Sequence, residues 1–193
     1  GIGCLGDIAL LPVSNASQRS TFFTHDNERM HPGYYSLRLT DPDVLVELTA
    51  TKRCAMHRYT FGKGAKAQLA LDLAQCIGWD TPTDCMLSQE SPTRLIGYRR
   101  STGWAKDRRI YFAMEFSRPV YVERSDSMYR ALLSFNSLDT PLIIKVSLSP
   151  VEPDKAKANM QFEMPGWDFD AVVSKVDDEW NTQLSRIQID TKD

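Results

Sequence analysis

The stretch Val44-Leu45-Val46-Glu47-Leu48-Thr49-Ala50-Thr51 carries the clearest structural signal in this sequence. Its four even-numbered residues are apolar, and alternate residues of an extended chain point to the same face. The opposite face carries Glu47, which we expect to be solvated. Alternation of this kind is typical of an antiparallel sheet with one buried face. The stretch therefore predicts a strand of such a sheet.

Similar strand signals occur on both sides of this stretch. We predict further strands beginning at Tyr34 and at residues 7–11, 56–61, 68–73, 94–98, 110–116, 120–123, 131–135 and 142–148. Between them lie turn-forming runs such as Pro32-Gly33 and Asp139-Thr140-Pro141. Many short strands separated by turns favour an antiparallel β-sandwich over alternating β-α units.

The last quarter of the sequence changes to helical patterns. Pro153 suits the first turn of a helix, residues 155–162 are rich in helix formers, and Pro165-Gly166 ends that run. Asp168 can cap a second helix with a continuous apolar stripe formed by Phe169, Val172, Val173, Val176, Trp180 and Leu184. Residues 185–189 alternate again and predict a final strand.

These patterns predict a mainly β protein, an antiparallel and supersandwich-like β-sandwich followed by two helices. We divide it into a sandwich body at residues 1–151 that lacks its first strands, a helical connector at 152–184, and a final strand with a truncated end at 185–193. The glycine-rich start and the abrupt finish favour a domain fragment whose helices lead toward a missing catalytic domain.

Composition excludes several function classes. A net charge of −2 gives no basic surface of the kind that binds nucleic acid. The sequence also has no run of 18 apolar residues, which a membrane-spanning helix would need. The four cysteines (Cys4, Cys54, Cys76 and Cys85) lack zinc-site spacing, and free thiols are favoured over a Cys76–Cys85 pair. The first six residues match GxGxxG, but no strand precedes them, so a tight turn is favoured over nucleotide binding.

Two local clusters could form a site. His25, Asn27 and Glu28, beside Asp26, could contact sugar hydroxyls, although a turn in which they satisfy backbone donors is the commoner use of such residues. Trp104 with Arg99, Arg100 and Tyr98 could form a sugar-stacking platform, and a plain hairpin tip is an equally good interpretation. Trp79, Trp167 and Trp180 have the character of packing residues.

No catalytic pair stands out among the acidic residues. Glycoside hydrolysis generally uses two carboxyl groups, about 6.5–9.5 Å apart for inversion and about 5–5.5 Å apart for retention. Asp7, Glu28 and Glu47 are conceivable members, but the sequence does not pair them. No metal-ligand pattern and no serine nucleophile motif occurs either.

Several segments, in order along the chain, resemble the N-terminal domain of glycoside hydrolase family 92. They are Leu5-Gly6-Asp7-Ile8 after the glycine turn, residues 24–37, residues 47–61 with Glu-Leu-Thr-Ala-Thr-Lys-Arg, residues 97–116 with Ser-Thr-Gly-Trp-Ala, residues 145–151, and residues 165–189 beginning Pro-Gly-Trp-Asp-Phe-Asp. This family comprises exo-acting α-mannosidases.

The resemblance implies a β-sandwich joined by helices to an (α/α)-barrel that carries the catalytic acid, the catalytic base and a calcium ion. No catalytic or metal-binding residue is therefore expected in these 193 residues. The implied partners are mannose-containing N-glycans and the barrel of the same polypeptide, and the implied location is periplasmic or secreted. His25, Asn27, Glu28 and the glycine turn before Asp7 are the expected junction surfaces.

Two other classes of function remain open from the residues alone. A free-standing carbohydrate-binding module would bind α-mannobiose unaided through Trp104 and its neighbours. A structural or protein-interaction domain would instead expose a large apolar patch without converging polar groups.

Overall fold

The computed structural model describes residues 7–76, 78–125, 129–136 and 139–189. Within these ranges the chain forms twelve strands and two α-helices, with a short 3-10 turn at His25–Asn27 between the first and second strands. In chain order the strands are β1 Ala9–Pro12, β2 Glu28–His31, β3 Tyr34–Leu39, β4 Val44–Ala50, β5 Cys54–Phe61, β6 Gln68–Asp72, β7 Thr81–Ser91, β8 Arg94–Thr102, β9 Arg108–Phe116, β10 Tyr121–Arg124, β11 Arg130–Ser134 and β12 Leu142–Ser149. The helices are α1 Pro153–Glu163 and α2 Phe169–Leu184.

The strands form two antiparallel sheets, as predicted. The larger sheet has the order β2-β3-β4-β5-β12-β9-β8-β7, and the smaller has β1-β6-β11-β10. The core lies between them, and alternation decides which residues enter it. On β4 the even-numbered residues Val44 and Val46 are buried in this core, and on β9 Phe112, Met114 and Phe116 are buried there.

The two helices pack on the outer face of the larger sheet, so the molecule has three layers. Met160 of α1 and Phe169 of α2 belong to a second apolar cluster that also contains Met56 of β5 and Ala113 of β9. The predicted cap is confirmed, because the Asp168 side chain accepts a hydrogen bond of 3.0 Å from the backbone N–H of Ala171.

Helix packing changes the interpretation of Glu47, which is buried instead of solvated. Its side chain accepts hydrogen bonds from Tyr34 at 2.9 Å and from Arg58 at 2.6 Å. Arg58 in turn reaches Asp170 of α2 at 2.9 Å and places its guanidinium 4.3 Å from the Phe169 ring centre. The polar face of β4 therefore faces a helix layer, which a single strand pattern does not reveal.

Other sequence predictions differ from the structure. Residues 185–189 form a turn and irregular chain, so the predicted final strand is wrong over these residues, and residues 190–193 lie outside the described ranges. Strands β2 and β7 were not predicted, because charged and hydroxyl residues and Pro82 obscure their alternation. Trp180 was predicted to be packed but is 47% exposed, and Leu184 is also exposed, so the apolar stripe of α2 is buried only in its first half.

Cys54, Cys76 and Cys85 form no disulfide in the described part of the chain, which agrees with the favoured thiol state over a Cys76–Cys85 pair. Cys4 and the predicted glycine turn at residues 1–6 lie outside the described residues. Among the helices described, none is long and apolar enough to cross a membrane.

Candidate functional site

The predicted polar loop lies at the outer edge of the larger sheet, just before strand β2. The Nδ1 atom of His25 lies 2.7 Å from Oε2 of Glu28, and the Tyr35 hydroxyl donates to Oε1 of Glu28 at 2.7 Å. His25 and Asn27 are exposed, and the ring of Phe23 meets that of His25 edge-on at 5.6 Å. His25 and Glu28 thus pair with each other rather than with turn backbone, and the loop presents His25 and Asn27 at the surface.

These contacts set the ionisation of the loop. The hydrogen bond from His25, followed by that from Tyr35, lowers the pKa of Glu28. Burial and the Glu28 carboxylate together raise the pKa of Tyr35 to about 12. Glu28 is therefore a stable carboxylate that accepts hydrogen bonds, whereas a general acid needs a raised pKa.

We expect the replacement His25→Ala to raise the pKa of Glu28 toward its ordinary value, because it removes the largest cause of the shift. A carboxyl group with a lowered folded-state pKa stabilises the fold above its unfolded pKa, and that contribution is lost as pH falls through the folded pKa. Carboxyl-carbon NMR titration measures the shift directly. His31→Ala is the matched control, because His31 pairs with Asp177 instead, at 3.0 Å. An unchanged Glu28 titration in His25→Ala would contradict the assigned cause.

Asp7 and Arg99, which were predicted independently, meet in one buried cluster at another part of the sandwich. The Arg99 side chain is 1% exposed. Its guanidinium donates to Oδ1 of Asp7 at 2.8 Å, to Oδ2 of Asp80 at 2.8 Å and to the Leu73 carbonyl at 2.8 Å. It also lies 2.9 Å from Sγ of Cys76. Arg108 makes a second ion pair with Asp7.

This geometry gives Arg99 a positioning role. Its partners come from the entry to β1 and from the segment between β6 and β7, so a single side chain joins both to strand β8. Because the guanidinium is enclosed and its donors point at protein atoms, it has no free face for a sugar in this structure. Asp7, with 4% of its surface exposed, is enclosed in the same way.

Trp104 lies at the tip of the β8–β9 hairpin and has an unpredicted aromatic partner. It is 69% exposed, and Trp79, predicted as a packing residue, is 62% exposed. Their rings meet edge-on at 89° with centres 6.4 Å apart. The packing prediction for Trp79 is wrong because the residue lies in the segment fixed by Arg99 outside the core. Trp167 is also partly exposed and covers the Lys145 ammonium, 4.1 Å from its ring centre.

The structure does not bring the two predicted clusters together. Glu28 begins the edge strand β2, whereas Arg99 and Trp104 belong to β8 and its hairpin. Six strand spacings separate β2 from β8 in the sheet order, which corresponds to about 29 Å at ~4.8 Å per spacing. One monosaccharide cannot contact both clusters.

The sequence interpretation missed His57, whose side chain points between the sheets. Its Nδ1 atom lies 2.8 Å from the Tyr59 hydroxyl, and burial lowers the pKa of His57 to about 4. The imidazole is therefore neutral near pH 7. It lines a cavity of about 440 Å³ together with Asp7, Leu10, Ile110 and Leu148. The sequence signal for its inward orientation is its odd-numbered position on β5, which places His57 on the same face as the buried Tyr59.

Nowhere in the described ranges do three His, Cys, Asp or Glu side chains come together as potential metal ligands. Many carboxylates there are engaged by cationic side chains or hydroxyl groups. Glu163, for instance, accepts from Nε of Arg53 and from the Thr51 hydroxyl, at 2.5 Å each. A hard cation such as calcium needs six to eight converging oxygen ligands.

The molecule is thus a β-sandwich domain with two helices on the outer face of its larger sheet. Residues 1–149 match the family model for the glycosyl hydrolase family 92 N-terminal domain, and residues 155–193 match that for the family's catalytic domain. The chain therefore belongs to glycosyl hydrolase family 92. No curated protein sequence matches the chain.

Solved structures of the same family share the fold. The family GH92 α-mannosidase BT3965 from Bacteroides thetaiotaomicron aligns with a TM-score of 0.86 at 23% identity, over 97% of this chain and 30% of that one. The GH92 family glycosyl hydrolase ccman5 aligns with a TM-score of 0.86 at 23% identity, over 97% of this chain and 29% of that one. The GH92 inverting mannosidase BT2199 from Bacteroides thetaiotaomicron VPI-5482 aligns with a TM-score of 0.77 at 23% identity, over 95% of this chain and 27% of that one. The chain thus spans less than a third of the length of each of these three structures.

Proposed function

We propose that this chain is the β-sandwich and the start of the catalytic domain of a calcium-dependent, inverting exo-α-mannosidase that acts on N-glycan-type mannosides. Its sandwich would form part of the active-site wall where it meets the (α/α)-barrel. Membership of family 92 supports the class of enzyme, and the inverting mannosidase BT2199 among the similar structures supports the stereochemistry. A periplasmic or secreted location belongs to the same proposal.

One observation supports the placement of the catalytic acid and base in the barrel and not in the sandwich. The three carboxylates considered as catalytic members are all engaged as acceptors: Asp7 with Arg99 and Arg108, Glu28 with His25 and Tyr35, and Glu47 with Tyr34 and Arg58; at Glu28 these hydrogen bonds lower the pKa. A glycosidase acid must hold a proton near neutral pH, which needs a shift in the opposite direction. We infer that the acid and the base lie in the remainder of the catalytic domain.

On this proposal the sandwich moves no proton. The exposed loop of His25, Asn27 and Glu28 is its best candidate for a wall that contacts sugar, because an imidazole, an amide and a carboxylate there combine hydrogen-bond donors with acceptors. Asp7 would act from the interior, where its ion pairs with Arg99 and Arg108 fix the chain that enters β1. Calcium, which orients hydroxyl groups when bound, would be held by residues outside the described ranges.

Mannose release from α-mannobiose tests this proposal. The 193-residue chain should be inactive with or without calcium, whereas a chain that continues past residue 193 through a whole family 92 catalytic domain should be active with calcium and lose activity with a chelator. Activity in the 193-residue chain would overturn the assignment and direct attention to Glu28 and Asp7. Inactivity of the longer, calcium-loaded chain toward α-mannosides would contradict the enzyme class.

A further inference from the structure

Four aromatic side chains lie outside the core at the β8–β9 hairpin and in the neighbouring segment before β7, and we call them the hairpin platform: Trp79, Trp104, Tyr98 and Tyr111. Trp79 and Trp104 meet at the tip. Tyr98 and Tyr111 are register partners on neighbouring strands, with ring centres 5.9 Å apart. Aromatic rings on a surface suit ligands that have both an apolar face and polar edges, and pyranose sugars have this character.

The polar side chains that lie between the tyrosine pair and the hairpin tip along the strands are arginine donors paired with a carboxylate acceptor. Arg100 and Arg109 are register partners, and both bind Asp107, at 3.2 Å and 2.7 Å. The Tyr98 hydroxyl donates to Asp84 at 2.9 Å. A guanidinium beside a carboxylate offers donors and acceptors in one place, as neighbouring sugar hydroxyl groups require. Since these charges largely compensate each other, the platform favours a neutral ligand.

The platform lies beyond the part of the larger sheet that α1 covers. Helix α1 packs near Ile96 and Ala113, and its Lys157 reaches Glu90 at 2.8 Å. Tyr98 and Arg100 follow on the same face of β8 toward the hairpin tip, outside that cluster. Between 39% and 50% of the side-chain surface of Arg100, Asp107 and Arg109 is exposed. These groups are accessible, although their partners hold them in place.

The interior of the sandwich fixes the tip of the platform. Arg99 holds Asp80, the residue after Trp79, in an ion pair at 2.8 Å. The segment then lies so close to the hairpin that a Cβ atom at Gly103 would be 3.1 Å from Cα of Asp80. Two exposed indoles in a flexible loop would lose conformational entropy on binding, and a rigid support reduces this cost.

We propose that the hairpin platform is a non-catalytic binding site for a neutral α-mannan chain. The aromatic faces would stack on pyranose rings, while the Arg100–Asp107–Arg109 group would bind their hydroxyls. This site goes beyond the proposed function, on which only the choice of mannose as the sugar rests: it lies about 29 Å across the sheet from the loop of His25 and Glu28, at six strand spacings. It requires neither hydrolysis nor calcium.

Affinity electrophoresis through gels containing soluble yeast mannan tests the site in the 193-residue chain. We expect the mannan to retard the chain, and Trp104→Ala and Trp79→Ala each to raise the apparent Kd about tenfold or more, as for tryptophan anchors generally. Trp180→Ala is the matched control, because it removes a partly exposed tryptophan from α2. Circular dichroism of each variant shows whether the sandwich remains folded.

Three results would overturn the proposal. The first is migration unaffected by mannan, and the second is equal retardation of the Trp104→Ala variant and the unaltered chain. The third is loss of binding when the chain continues through a whole catalytic domain with calcium chelated, because that domain would then cover the platform. Mannan binding together with an inactive longer chain would contradict the proposed enzyme and leave the platform intact, so the two hypotheses fail separately.

Discussion

Replacing Arg99 with methionine is expected to lower the free energy of unfolding by about 3–5 kcal/mol, the usual cost of leaving one side of a buried ion pair uncompensated. Arg99 is 1% exposed and pairs with both Asp7 and Asp80. Methionine fills much of the same volume, so the loss would reflect charge and hydrogen bonding more than a cavity. Urea unfolding, followed by circular dichroism, measures the effect.

Arg100→Met is the control for this change. Arg100 is the next residue on β8, but its side chain lies on the opposite face, is 39% exposed and pairs with the exposed Asp107. Such surface pairs contribute at most about 1 kcal/mol. Equal losses in the two variants would contradict the assignment of Arg99 as the residue that joins β1, β8 and the Trp79 segment.

Gly97→Ala is expected to destabilise the chain by about 3 kcal/mol or to prevent stable folding, because overpacking in a rigid core is costly. A Cβ atom at Gly97 would lie 2.2 Å from the Met86 carbonyl oxygen and 2.5 Å from Cζ of Phe112. The carbonyl belongs to the backbone of β7, so no side-chain rotation relieves that contact. The midpoint of thermal unfolding reports the loss.

Gly166→Ala is the control for the Gly97→Ala substitution. No atom lies within 4 Å of the position that its Cβ would take, and its φ is not positive. We expect a change within about 0.5 kcal/mol, as is usual for surface substitutions. A Gly97→Ala variant as stable as Gly166→Ala would show that β7 and β8 can separate locally.

Alternation within single strands predicted most of the fold. The pattern at Val44 and Val46 indicated the buried face, and the helix that begins after Asp168 followed from its cap and apolar spacing. Glu47 shows the limit of this reasoning: its ionic partners Arg58 and Asp170 come from β5 and α2, and a local pattern cannot show which layer covers a polar face.

The candidate site was less predictable for the same reason. Asp7 and Arg99 were chosen separately, and only the fold shows that they pair across 92 residues of sequence. Trp79 was predicted to be a packing residue, yet it is 62% exposed. Its exposure depends on a segment that Arg99 ties to the hairpin, which is a tertiary contact.

The helix layer bears on how this protein can be divided. The family models meet between residues 149 and 155, yet α1 and α2 share an apolar cluster with β5 and β9. Glu163 also bonds to Arg53 and Thr51, and Asp170 to Arg58. The boundary between the family models therefore separates the two helices from the sheet on which they pack. Recombination between relatives would preserve a working core only if the crossover lay beyond α2, so that the sandwich and its helices were exchanged as one module.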